Sequence, residues 1–82
     1  MITISESEFG NMSNDALSRL TKGQGITFYL KDGKMTQACV KDYLVTDSHN
    51  GIFMTKLGCS ILREEIKSIE IFEDGDCPKL VL

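Results

Sequence analysis

The alternation of apolar and polar positions is clearest from Ile26 to Asp47, ITFYLKDGKMTQACVKDYLVTD. Ile26, Phe28 and Leu30 alternate with Thr27 and Tyr29, a period of two that predicts a strand. Lys31-Asp32-Gly33-Lys34 then supplies a tight turn, because glycine accepts positive φ readily. From Met35 the alternation runs for about a dozen residues, which would exceed roughly 35 Å if straight. A domain of 82 residues is too small for that length, so the strand is expected to bend and serve two sheets. Ala38, Val40 and Leu44 fall on one side, with Cys39, Tyr43 and Val45 on the other. Both faces become apolar toward Tyr43-Leu44-Val45, where the strand is expected to become more fully buried.

Ahead of this hairpin the period changes. Ser5-Glu6-Ser7-Glu8 has the spacing of a capping box. Phe9, Met12, Ala16 and Leu20 recur at helical intervals. Gly10 weakens a continuous helix, so the expectation is a loose turn followed by one helix over 14–21. Ser13 or Asn14 would cap that helix, with Asp15 in its first turn and Gly23 as its left-handed stop. Met1 to Ile4 is either a short strand or a disordered start. After the long strand, Asn50-Gly51 marks a turn. Strands follow at Ile52–Leu57, Ser60–Arg63 and Lys67–Phe72, with Glu64-Glu65 as a one-turn link. Lys79–Leu82 is a further strand candidate. The expected architecture is mainly β: an N-terminal helix followed by a five-stranded, strongly bent small barrel of SH3-like form. One domain spans 1–82, with 1–13 and 73–82 as peripheral or flexible ends.

Composition narrows the function. No apolar run is long enough for a membrane span. The first residues lack a basic region with an apolar core, so a secretory leader is not expected and a cytoplasmic location is. Three cysteines, Cys39, Cys59 and Cys77, include no C-x-x-C pair and are expected to be reduced, small apolar residues. The net charge is −3 and unevenly placed. Residues 1–15 hold Glu6, Glu8 and Asp15 with no Lys or Arg. Residues 70–82 hold Glu70, Glu73, Asp74 and Asp76 against Lys79. Between them basic residues outnumber acidic ones, so the body permits phosphate contact while the whole chain is no strong polyanion binder.

No catalytic or metal-binding constellation emerges, so the chain is expected to be non-enzymatic and free of cofactors. His49 is the single histidine, in a turn beside Asp47. Glu64 and Glu65 are adjacent and would face opposite ways on an extended chain. Gly23-Gln24-Gly25 stands between a helix and a strand, the reverse of a nucleotide-binding loop.

The order of elements resembles the Sm-like fold. Ala16-Leu17-Ser18-Arg19 followed by Ile26-Thr27-Phe28-Tyr29-Leu30 is similar to the start of the bacterial RNA chaperone Hfq. Leu30-Lys31-Asp32-Gly33-Lys34 with Gln37-Ala38, and later Leu62-Arg63, Ile66 and Ser68, resembles Rof, the Rho-binding antiterminator. The resemblance covers roughly residues 14–72. Where Hfq carries Tyr-Lys-His, this chain reads Leu62-Arg63-Glu64.

The Rof-like resemblance implies a regulator that binds Rho, or another nucleic-acid-handling protein, and modulates transcription termination. Glu6, Glu8, Asp15 and Arg19 are its candidate protein-binding residues. The Hfq-like resemblance implies an oligomeric ring that binds RNA. Tyr29 and Phe53 would then stack on bases, and Lys31, Lys34, Lys56 and Arg63 would contact phosphates. A phage- or mobile-element-encoded inhibitor using the same barrel is a third expectation.

Overall fold

The structure, a computed structural model, describes residues 2–46 and 50–72. His49, Cys77 and the strand candidate at 79–82 lie outside the described residues. Six antiparallel strands, β1 (Ile2–Ile4), β2 (Gly25–Leu30), β3 (Met35–Val45), β4 (Gly51–Thr55), β5 (Ser60–Leu62) and β6 (Ile66–Ile71), form one open sheet in the order β1-β6-β2-β3-β4-β5. Two helices, α1 (Glu6–Asn11) and α2 (Asn14–Thr21), lie between β1 and β2. The mainly β class is as expected. One strand and one helix are added to the expected inventory, and the sheet order does not close on itself.

Both helix starts follow from local chemistry. Ser5 accepts a hydrogen bond from the Glu8 amide at 3.2 Å, and the Glu8 carboxylate accepts one from the Ser5 amide at 3.2 Å. This capping box nucleates α1 in the stretch expected to be a loose turn. Ser13 caps α2 by accepting from the Ala16 amide at 3.1 Å. The helices bury Phe9, Leu17 and Thr21. Ala16, expected on the buried stripe, is exposed, because the helices break between Asn11 and Asn14 and restart in a different phase.

The long strand divides as its length requires. Met35–Cys39 pairs with β2 and Val40–Val45 with β4. The register shifts between Val40 and Asp42, so Lys41 is the extra residue of a bulge. That residue reverses the inside-outside phase. Val40 and Tyr43, three apart, are both buried in the core. Leu44 is 48% exposed and Val45 51% exposed, which corrects the expectation that the strand's end is fully buried.

The core sits between the sheet and the helices. Cross-strand rows Ala38–Ile26–Ile71 and Phe28–Ile69–Ile4 supply apolar bulk. The Phe28, Phe53 and Tyr43 rings form an edge-to-face chain with centroids 5.2 and 4.6 Å apart. Phe28 comes from one half of the sheet, while Phe53 and Tyr43 come from the other. Such contacts add about 0.5–1.5 kcal/mol per pair beyond area burial. Cys39 is buried and Cys59 is an exposed free thiol.

Two glycines carry the turns that matter. Gly33 has φ +90° at the tip of the β2–β3 hairpin, where a side chain would be strained. Gly51 lies under the Tyr43 ring, and a Cβ built on it would stand 1.7 Å from the Tyr43 hydroxyl oxygen. Gly51→Ala therefore displaces the ring and lowers stability by about 1–3 kcal/mol, the usual cost of overpacking. In a Tyr43→Ala background the same change should cost less than half as much, because the clash is gone. Urea unfolding of the four chains in this double-mutant cycle measures the coupling.

Candidate functional site

Arg63 opens a single turn of 3₁₀ helix (Arg63–Glu65) between β5 and β6. From there its side chain reaches the junction of the two helices. One guanidinium nitrogen donates to Asn14 Oδ1 at 2.7 Å. The other donates to the Phe9 carbonyl at 3.0 Å and to the Met12 carbonyl. The guanidinium carbon stands 5.4 Å from the centre of the Phe9 ring. The cation thus meets carbonyls at the end of α1, where the helix dipole favours positive charge. Tyr43 donates to the same Asn14 oxygen at 2.7 Å. One side-chain oxygen therefore links the helices, the 3₁₀ turn and β3.

Beside this junction lies a cleft of about 400 Å³. Glu6, Phe9 and Gly10 of α1 line one part of it. Arg63, Glu64, Ile66 and Lys67 line another, and Lys31 and Asn50 complete the lining. A second cleft of about 300 Å³ adjoins it and shares Lys31 and Glu64. The Lys31 amide donates to the Glu65 carbonyl at 2.9 Å, which fixes the start of the β2–β3 turn against the 3₁₀ turn. Gly10 is one of the α1 residues facing this space. A helix-interior glycine costs about 1 kcal/mol relative to alanine.

The sequence candidates divide between surface and interior. Glu6 and Glu8 on α1, and Asp15 and Arg19 on α2, are all exposed, and one Glu8 oxygen serves the cap. Lys31, Lys34 and Lys56 are exposed as well. Three RNA-binding candidates are placed otherwise. Phe53 is completely buried, in the core rather than on a face open to a base. Arg63 has both terminal nitrogens committed to the helix junction. Tyr29 donates its hydroxyl to Glu70. Asn14, Gly10 and Tyr43 are the site-forming residues that composition does not flag. Asn14 could be read only as a cap candidate until Tyr43 and Arg63 were brought beside it. Among the described residues no group of three His, Cys, Asp or Glu side chains could hold a metal ion.

Removing Arg63 takes its donor from the Met12 carbonyl and leaves the Phe9 carbonyl with the Met12 amide alone. Arg63→Ala should lower stability by about 2–3 kcal/mol, as for hydrogen bonds to a charged group. Arg63→Lys should restore less than half of that, because an ammonium cannot reproduce the guanidinium fork. Guanidinium chloride unfolding reports both.

The tyrosines give an independent readout. The hydrogen bond to Glu70 holds the Tyr29 phenol above its ordinary value of 10.0. Burial pushes the Tyr43 phenol above 10.0, against Arg63, which pulls it down. A raised folded value favours the protonated form, so the linked stability is present below pH 10 and is lost as pH rises through the folded values. The chain has two tyrosines and no tryptophan, so phenolate absorbance reports them directly. Both midpoints should lie above 10, and Glu70→Gln should return the Tyr29 midpoint toward 10.

No family model matches the chain, and no curated protein or solved structure compared with it gives a match.

Proposed function

We propose that the chain is a non-catalytic binding module of Sm-like architecture. Its acidic helical layer docks on a protein that handles nucleic acid and modulates that protein's activity. Rho is the first candidate, from the resemblance to Rof. The observation that carries this reading is the contrast between the two candidate sets. Glu6, Glu8 and Asp15 stand exposed on two short helices that Arg63 and Asn14 hold together. Phe53 is buried in the core, and the polar ends of the half-buried Tyr29 and Arg63 are engaged by neighbouring groups. Negative charge on a held surface complements a site built for a polyanion and speeds encounter with it.

A ring-forming RNA-binding protein is the second reading. Exposed Lys31, Lys34 and Lys56 favour it. The shortage of free aromatic faces weighs against it, since stacking on aromatic side chains carries much of single-strand binding.

Titration calorimetry with purified Rho, paired with light scattering of the chain alone, separates the two. The regulator reading expects a stoichiometric complex and a small assembly. Neutralising the face with Glu6→Gln and Asp15→Asn should weaken the complex about tenfold or more, with the melting temperature little changed. A multisubunit mass, together with oligouridine binding that falls steeply with salt, would reverse the choice.

A further inference from the structure

The cleft beside α1 contains a glycine that the packing does not explain. Gly10 lies inside α1, its φ is outside the left-handed region, and a Cβ built on it would meet no atom within 4 Å. Neither the backbone nor a close approach calls for glycine there, and alanine would favour the helix. What the missing side chain provides is room, because Gly10 is part of the cleft lining.

The charges around that room form a second observation. Lys31, Lys67 and Arg63 all line the cleft. Arg63 is held by the oxygens of neutral groups. The ion pair formed among the described residues is Lys22–Asp42, away from this lining. Three cations therefore border one cleft with no carboxylate of the described residues at bonding distance, although Glu6 and Glu64 are also in its lining. Phe9 and Ile66, 3% and 2% exposed, lie at its apolar floor. Two acidic side chains disfavour a run of phosphates, whereas a single carboxylate can sit nearer the lysines.

We propose that this cleft binds a carboxylate carried on an apolar body. The apolar part lies against Phe9 and Ile66, in the space left open at Gly10. The carboxylate lies with Lys31 and Lys67. About 400 Å³ falls within the usual range of small-ligand sites. A free aryl or alkyl acid has this chemistry. So does an acidic residue next to an apolar one in an exposed segment of another protein. The cleft shares Glu6 with the acidic docking face, but its ligand is a separate one and the proposal stands whether or not Rho binds.

The full chain, labelled with nitrogen-15, is titrated with phenylacetate, with neutral phenylethanol, and with the blocked dipeptide acetyl-phenylalanyl-aspartyl-amide. Saturable amide shifts at Gly10, Lys31, Glu64 and Lys67 are expected with at least one of the two carboxylates. Response to phenylacetate alone identifies a free acid, and response to the dipeptide alone identifies a partner's segment. Phenylethanol should bind at least about tenfold more weakly. Lys31→Ala with Lys67→Ala should weaken carboxylate binding by a similar factor. Gly10→Leu should fill the cleft and abolish binding, while the melting temperature stays at or above that of the parent. If neither carboxylate gives saturable shifts at millimolar concentration, the proposal fails. It fails equally if binding survives Gly10→Leu in a folded chain.

Discussion

A single guanidinium determines how the helical layer sits on the sheet. α1 and α2 are six and eight residues long, too short to persist alone in water. Each buries one or two side chains, which is little to fix an orientation. Arg63 supplies what packing does not, by bonding the Phe9 and Met12 carbonyls and the Asn14 side chain together. These oxygens lie at the end of α1, in the break, and at the start of α2. Tyr43 closes the arrangement through Asn14, and its ring is in turn pinned over Gly51 and against Phe53. The helices, the 3₁₀ turn and the hairpin are therefore coupled through a few polar atoms above the aromatic core.

That coupling also shapes both candidate surfaces. The acidic face belongs to helices whose angle Arg63 sets. The cleft is the gap between α1 and the segment from which Arg63 projects. A residue that looks like a phosphate ligand in the sequence is a structural tie in the fold. Its positive charge still borders the cleft, because amide and carbonyl oxygens orient around a cation without neutralising it. Structural and recognition roles thus meet in one side chain.

Much of the fold was legible because local chemistry and burial agree. The Asn14–Thr21 helix, the Gly33 turn, the length of β3 and the one-turn link before β6 all follow from spacing and capping. Where the reading missed, a nonlocal effect intervened. The Ser5–Glu8 box was visible, but Gly10 argued against a helix that the box and Arg63 together support. The bulge at Lys41 could be anticipated as a bend, yet its position decides whether Leu44 or Tyr43 faces inward, and alternation alone does not fix it. Of the site, the charged residues were legible as types. Their division into free and committed was not, since Arg63 and Asn14 are 49 positions apart in sequence.

The bulge at Lys41 has a consequence for how this chain can change. Lys41 is exposed, so replacing it alters little that is packed. Deleting it would leave Val40 and Tyr43 two apart, so strict alternation would keep both facing the core and Leu44 outside. Asn14 would keep its partner, Gly51 its cover and Phe53 its neighbour. The position is thus permissive for the identity of a residue and for its loss, so the chain can vary there both in composition and in length.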